Sequence, residues 1–444
     1  MNTPICDFAS QYVKNTPVRL HMPGHKGVKI LGFETYDITE VQGADSLYEA
    51  SGIIRESEQN ASTLFGCDTY YSTEGSSLCI RTMIYLAALH AKSRGNKCKI
   101  LAGRNAHKTF VSSLVLMDTE VVWIKSAEGS YLSCCINEDE LEKQITEERP
   151  TALYLTSPDY LGNVADIRTI SEICKKHDVL LLVDNAHGGY LRFLHESLHP
   201  IDLGADLCCD SAHKTLPVLT GGAYLHIGNH HKDFLTAPVV KSAMALFGST
   251  SPSYLILQSL DAANKYISEA YREELAEFLP KVSALKDELT SCGYELAENE
   301  PLKITIKTKP YGYTGTDFAD LLLKENIVCE FCDPDFVVFM LTPQTTTAEL
   351  DKLKNVLLGT KKLSPISHNP PKVHIPKQVM SIRDAALSPM EIVDTKDAKG
   401  RILAATTVGC PPAVPIVVCA EEIDEEAIAC FEYYNIETCM VVKE

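Results

Sequence analysis

The sequence predicts an α/β protein built on a mostly parallel sheet, followed by a small α+β domain and a small C-terminal domain. From about residue 70 to residue 227, short apolar runs alternate with amphipathic stretches of helical length, the pattern of a parallel sheet covered on both faces. Several runs end in turns that carry Gly, Ser, Asp, His or Lys, and ligands of open α/β sheets bind at the carboxyl ends of strands. At 444 residues, 45% hydrophobic and 23% charged, the chain is long enough for two or three domains and one large core.

Taken in order, residues 1 to about 55 read as an irregular N-terminal segment, with turn signals at Pro23-Gly24 and Lys26-Gly27. A helix follows over Ile53–Leu64. A large domain, 56–280, is then expected to hold strands at Tyr70–Ser72, Lys99–Ala102, Val121–Ile124, Ala152–Thr156, Val179–Val183, Asp206–Cys209 and Ala223–Ile227. Helices between them are expected over Ser77–Ala91, Lys108–Met117, Glu138–Glu147 and Ile167–Lys176. A long helix is expected over Tyr254–Glu277, and the region of Pro280 is expected to open a smaller domain, 281–362. There, Lys303–Lys307 and Val337–Leu341 read as strands, and Thr316–Glu325 and Thr347–Leu357 as helices. The Pro- and Ser-rich stretch Leu363–Pro376 reads as a linker into a C-terminal unit, so that linker and unit together span 363–444.

The formal net charge is −18, from 59 acidic and 41 basic residues, which disfavours nucleic acid or an anionic membrane as partner. No run is long and apolar enough to span a bilayer, and Met1–Asp7 lacks the basic and apolar regions of a leader. Sixteen scattered Cys point to buried thiols in a reducing cytoplasm. Cys329-Glu330-Phe331-Cys332 has no second Cys pair to complete a zinc site and reads as structural. His226, His230 and His231 read as a solvated loop cluster. No metal site is expected.

Lys214 is the most informative residue. It lies in Asp210-Ser211-Ala212-His213-Lys214-Thr215-Leu216, after an apolar run and before Thr220-Gly221-Gly222. A Lys whose charged form is disfavoured by its surroundings is nucleophilic toward an aldehyde, and pyridoxal phosphate (PLP) is the obvious one. The same string elsewhere would be an ordinary surface turn, but three further motifs fall at strand ends. In Ser72-Thr73-Glu74-Gly75-Ser76-Ser77, Gly75 permits close backbone approach, and Ser76 and Ser77 offer hydroxyls and amides to a phosphate at a helix start. A simple Ser helix cap is the alternative. In Arg104-Asn105-Ala106-His107-Lys108-Thr109, His107 is either a ring-stacking residue or a capping or core histidine. In Leu181-Leu182-Val183-Asp184-Asn185-Ala186-His187-Gly188-Gly189, Asp184 follows apolar residues and needs a partner if buried. A protonated pyridine nitrogen is such a partner. A metal shared with His187, or a helix cap, is the alternative.

These residues closely resemble the Orn/Lys/Arg decarboxylase family of aspartate aminotransferase-like, fold type I PLP enzymes. The strings that carry the resemblance are His21–Gly27, Asp37–Glu40, Ser72–Ser77, Arg104–Lys108, Asp184–Gly188, Ser211–Leu216 and Ser249–Tyr254, spread over nearly the whole chain. The resemblance implies that Lys214 holds the cofactor as a Schiff base, Asp184 faces the pyridine nitrogen and His107 stacks on the ring. It implies that Gly75, Ser76, Ser77, Ala186, His187, Ser211 and His213 neighbour the cofactor. Thr250 is expected to reach the neighbouring subunit's site in a homodimer, with a higher oligomer open. The chain looks like the short, biosynthetic-type subgroup that lacks an N-terminal wing domain. Two departures stand out. Cys410-Pro411-Pro412-Ala413-Val414-Pro415 replaces a Tyr-Pro-Pro-Gly-Ile/Val-Pro string, and Asn185 stands where Glu is common.

The expected activity is PLP-dependent decarboxylation of a basic L-amino acid, arginine before lysine or ornithine, in polyamine metabolism. Lys214 or His213 would return a proton to Cα. Asp37, Glu40, Asp45 and Glu421 are candidates for the substrate's cationic end, with solvated surface carboxylates as the alternative. An aminotransferase or aldolase of the same fold, or a PLP-binding protein without turnover, are the competing readings.

Overall fold

A computed structural model describes residues 1–125, 130–231, 233–297, 300–410 and 414–443, with the backbone alone at Cys410. The Pro411-Pro412-Ala413 string therefore lies outside the described residues. In chain order the elements begin with α1 (Pro4–Lys14), α2 (Ile53–Phe65), β1 (Asp68–Ser72), α3 (Gly75–Ser93), β2 (Lys99–Ala102), α4 (Lys108–Met117), β3 (Glu120–Trp123), α5 (Glu138–Glu148), β4 (Ala152–Thr156) and α6 (Ile167–Lys176). They continue with β5 (Leu180–Asp184), β6 (Leu207–Asp210), α7 (Ala212–Thr215), β7 (Ala223–Ile227), α8 (Ala237–Ala245), α9 (Tyr254–Tyr266) and α10 (Arg272–Ser291). Then follow β8 (Glu295–Leu296), β9 (Lys303–Lys307), α11 (Gly315–Lys324), β10 (Phe331–Cys332), β11 (Phe336–Met340) and α12 (Thr347–Gly359). The chain closes with α13 (Ile382–Leu387), β12 (Met390–Asp394), β13 (Thr407–Cys410), β14 (Val414–Val418), α14 (Glu425–Tyr433) and β15 (Thr438–Val442).

The chain divides into two compact units. The first comprises Met1–Arg94 and Leu180–Ala276. Its strands neighbour in the order β1-β7-β6-β5. β5 and β6 are parallel, and β7 is antiparallel to both β6 and β1. It follows that β1, β5 and β6 run the same way, and their carboxyl ends, Ser72, Asp184 and Asp210, share one edge of this sheet. All five residues of β5 are buried, as in strands covered on both faces.

The second unit comprises Gly95–Val179 and Glu277–Glu444. Its strands β3, β2 and β4 are parallel. A separate antiparallel sheet runs β10-β11-β9-β8, and two two-stranded sheets pair β12 with β15 and β13 with β14. Leu403, Ile416, Val417, Phe431 and Val441 anchor a shared core with Tyr131 and Leu161. Among the described residues no helix is long and apolar enough to cross a membrane.

Three expectations need correction. The first 55 residues are not wholly irregular, since Pro4–Lys14 is a helix. Its start is held by Asp261 of α9, which accepts the Ile5 and Cys6 amides at 3.0 Å each, a partner too distant in sequence to be foreseen. Pro280 does not end the long helix. A π turn at Ile267–Tyr271 leads into α10, and Pro280 lies inside it. An interior Pro costs about 3 kcal/mol. Leu275, Phe278, Val282, Leu285 and Leu289, all buried on one stripe through that point, offset it. Finally, His226 is not solvated. It lies in β7 and is completely buried, because the register that pairs Cys208 with His226 turns its ring inward. His230 and His231 do sit at the surface, beside Asp206.

Candidate active site

The shared edge of the first unit gathers the residues that sequence reasoning singled out there. After β1, the helix α3 opens at Gly75, Ser76 and Ser77, and Glu74, its N-cap residue, makes no side-chain cap. The Glu74 carboxylate instead accepts the Ser249 amide at 2.5 Å, tethering the exposed loop that carries Thr250. Gly75 adopts φ +66°, and a Cβ built there would meet nothing within 4 Å, so open space adjoins the first turn. The helix amides face that space with their positive end of the dipole. Ser211, after β6, donates its hydroxyl to Ser76 Oγ at 2.9 Å, which brings the two serines of separate strand ends to one point.

Ser211 precedes the single turn α7, which carries His213 and Lys214. The His213 ring lies 3.0 Å from the Gly222 carbonyl through Nδ1. A carbonyl only accepts, so Nδ1 bears the proton and Nε2 is the basic nitrogen of the neutral ring. Lys214 Nζ lies 2.8 Å from His187 Nε2. Asp184 ends β5, and His187 lies in the turn that follows it. Asp184 is 2% exposed and accepts the Ala186 amide at 3.2 Å and the Cys209 thiol at 3.6 Å. Burial, then the Asp184 charge, drives the Cys209 thiol far above its ordinary range, so it stays protonated and serves Asp184 as a donor.

His107 lies in the second unit, after β2. Its Nδ1 accepts the Thr109 amide at 3.2 Å and so caps α4, which realises the capping alternative without excluding a second role. The preceding Arg104 is nearly fully buried. It makes two 2.7 Å bonds to the Glu421 carboxylate and one of 2.9 Å to the Ile416 carbonyl, and lies 4.8 Å from the Trp123 ring centre. Glu421 also accepts the Val418 amide at 2.7 Å.

The four acidic candidates differ in commitment. Asp45 accepts five amides, from Ser46, Ser51, Gly52, Ile54 and Arg55, between 2.7 and 3.3 Å, and thereby caps the start of α2. Glu421 is held by Arg104. Asp37 pairs with His25 at 3.1 Å, and Glu40 is exposed. Sequence reasoning missed Asp210, His199 and the inward His226. The signal was present, because Asp210 ends an apolar run just as Asp184 does, and a carboxylate there must also find a partner.

These residues fit PLP. An uncapped helix start with open space and two serine hydroxyls suits a phosphate. A lysine amine lies at one neighbouring strand end, and a buried carboxylate lies at the next. Together with the α/β sheet they define a fold type I PLP-dependent enzyme. The Orn/Lys/Arg decarboxylase major-domain model matches residues 3–308. An arginine decarboxylase of Halalkalibacterium halodurans is 30% identical, covering 96% of this chain and 92% of that protein. An arginine decarboxylase of Bacillus subtilis is 29% identical over the same shares. Lysine decarboxylase A from Pseudomonas aeruginosa shares the fold with a TM-score of 0.84 at 17% identity, covering 99% of this chain and 80% of that one. The chain belongs to the Orn/Lys/Arg decarboxylase family, and its activity is PLP-dependent decarboxylation of a basic amino acid.

Proposed function

We propose that the substrate is L-arginine and the product agmatine, formed for polyamine synthesis in the cytoplasm. The observation that carries the site assignment is the convergence of Lys214, His187, Asp184, Ser76 and Ser211 on one sheet edge. The names of the two relatives matched nearly end to end support arginine over lysine or ornithine.

PLP, when bound, supplies an electron sink for the pair released as the Cα–carboxylate bond breaks. Lys214 would hold it covalently, Asp184 would keep its pyridine nitrogen protonated, and His107 would cover the ring. Gly75, Ser76, Ser77 and Ser211, with the first amides of α3, would hold its phosphate, and Ala186 and His213 would line it. At 2.8 Å, His187 Nε2 can accept the proton of the Lys214 ammonium and leave the neutral, nucleophilic amine. Lys214 Nζ, or His213 Nε2 once it has taken up a proton, would return the proton to Cα. Glu40, which is exposed, and Asp37, which has His25 as partner, are the carboxylates proposed to meet the guanidinium, whereas Asp45, filled by five amides, and Glu421, locked to Arg104, are left out.

The working unit is a homodimer, with Thr250 reaching toward the neighbouring site. Val18, Leu20, Ile30 and Leu31 are each more than 70% exposed within one N-terminal stretch, an apolar surface that a second copy would cover. Leu20→Glu with Ile30→Glu is expected to shift sedimentation toward monomer, and an unchanged dimer would remove this segment from the interface.

The decisive test measures CO2 release and identifies the amine with arginine, lysine and ornithine. Agmatine from arginine is expected as the fastest reaction. Faster turnover of lysine or ornithine would overturn the substrate choice, and a keto acid product would point to transamination.

A further inference from the structure

We infer that Asp210 is a positioning carboxylate which, through Asn185, holds the strand end and turn that carry Asp184 and His187. The inference rests on the site assignment above. Asn185, His199, Asp210 and His226 are all completely buried in the first unit. Asp210 receives Asn185 Nδ2 at 2.7 Å, His226 Nε2 at 3.0 Å and His199 Nε2 at 3.1 Å, with the Cys208 thiol at 3.8 Å.

The hydrogen-bond roles are determined by what lies on the far side of each group. His199 Nδ1 accepts the Ile201 amide at 3.4 Å, so its Nε2 carries the proton. His226 Nδ1 lies 3.0 Å from the Thr69 hydroxyl, and its Nε2 faces the carboxylate. Burial pulls the His226 imidazole below its ordinary range against the attraction of Asp210, and Nε2 is the nitrogen that donates to the carboxylate. Burial alone would raise the Asp210 carboxyl, but the imidazole donors outweigh it and hold the group below the usual carboxylate range. An ionised carboxylate accepts only, so the amide of Asn185 must present nitrogen to it.

That orientation clips the turn. Asn185 Oδ1 is pressed toward Gly188, where a Cβ would lie 1.9 Å away. The Asn185 backbone N–H donates to the Cys209 carbonyl at 2.9 Å, and the Gly188 backbone N–H closes on the Asn185 backbone carbonyl at 2.8 Å. Asp184 and His187 stand on either side of this clip. A displaced Asn185 side chain therefore displaces the pyridine-facing carboxylate and the partner of Lys214 together. A charged hydrogen bond of this kind is worth roughly tenfold or more in an equilibrium that depends on it.

The test titrates PLP into apo-protein and reads the dissociation constant and the absorbance of the bound cofactor, with circular dichroism to verify folding. Asn185→Asp places two carboxylates together, and Asn185→Ala deletes the clip without adding charge. Both are expected to weaken PLP binding roughly tenfold or more while remaining folded. Combining Asn185→Asp with Asp210→Asn exchanges donor and acceptor, and most of the lost affinity is expected to return. Phe65→Leu is the matched control. Phe65 packs 4.4 Å from the His226 ring centre and 5.7 Å from that of His199, so its loss lowers Tm without moving the dissociation constant. Folded Asn185→Asp and Asn185→Ala proteins with wild-type affinity and absorbance would overturn the inference, as would a double variant no better than Asn185→Asp. One tightly held metal ion per purified chain would also overturn it, because His199, Cys208 and Asp210 would then be ligands. Wild-type apo-protein that fails to bind PLP would instead overturn the cofactor assignment on which it stands.

Discussion

The tetrapeptide Ala-His-Lys-Thr occurs twice, at Ala106–Thr109, where it leads into α4, and at Ala212–Thr215, where it is the whole of α7, each time after a strand. The two copies come to opposite ends. In the first, the strand has ended at Ala102, His107 is the cap of α4, and Lys108 is the exposed first residue of a full helix. In the second, the strand ends only two residues before the tetrapeptide, Ser211 takes the cap position, and Lys214 falls inside a single turn beside His187. A shift of register by a few residues turns one Lys to water and the other to an imidazole. Local chemistry is the same in both; the distance from the strand end decides the outcome.

The largest effect expected from this difference is at the lysines themselves. Lys214→Ala should lower turnover by at least about 10³-fold and abolish the absorbance of covalently held cofactor, while Lys108→Ala should leave both near wild type. Comparable losses from the two variants in a steady-state assay would break the distinction between the copies.

Next comes the anchor of the first copy. Arg104 precedes it and is locked to Glu421, so Glu421→Ala leaves a buried guanidinium without its counter-charge. Urea unfolding should show a loss of roughly 3–5 kcal/mol. A loss below about 1 kcal/mol would mean that the pair behaves like a surface salt bridge.

A carboxylate beside the second copy and one in the unit of the first should also differ in their response to pH. Beside the second copy, Asp210 is held below its unfolded pKa, so its contribution is present above about pH 4 and is lost as pH falls further. In the unit of the first copy, burial raises Glu300 to about 7 against the pull of Lys303. The folded state then binds a proton that the unfolded state has released, so stability falls as pH rises from about 4.5 to 7. Stability measured by unfolding from pH 5 to 8 should decline for the wild type, at about 1.4 kcal/mol per pKa unit, and decline less steeply in Glu300→Gln, where Asp159 and Asp333, each raised to about 6 by burial, still contribute. A slope unchanged by that substitution would assign the decline elsewhere.

The smallest effect is at His107. Loss of its cap in His107→Ala should cost about 1 kcal/mol, and His107→Asn should recover most of it. If His107 also covers the cofactor ring, PLP affinity will drop in both variants, which separates the two roles.

Much of the frame was legible from periodicity. The strands Lys99–Ala102, Ala152–Thr156 and Ala223–Ile227 and the helices Lys108–Met117 and Ile167–Lys176 coincide with the expected spans, because apolar runs of strand length and amphipathic runs of helix length encode their own burial. Helix α1 was not legible, since its capping acceptor, Asp261, belongs to α9. The departure at Asn185 gained a reason only once Asp210 was seen opposite it, where a second carboxylate would be repelled. Among the acidic candidates, Asp45 and Glu421 were indistinguishable from Asp37 and Glu40 in sequence. Their amide and guanidinium partners come from turns and strands that only folding brings together.

By itself, then, the sequence determined the α/β order, the placement of Lys214, Asp184 and Ser76 at strand ends, and the decarboxylase family. Those follow from short-range pattern and from motif strings. Tertiary structure decided which carboxylates the chain satisfies internally: the buried Glu421 by Arg104, the buried Asp210 by two imidazoles and an amide, and the half-buried Asp45 by amides at the start of α2. The physical reason is that a buried polar group takes its meaning from its hydrogen-bond partners, and here those partners lie on different elements.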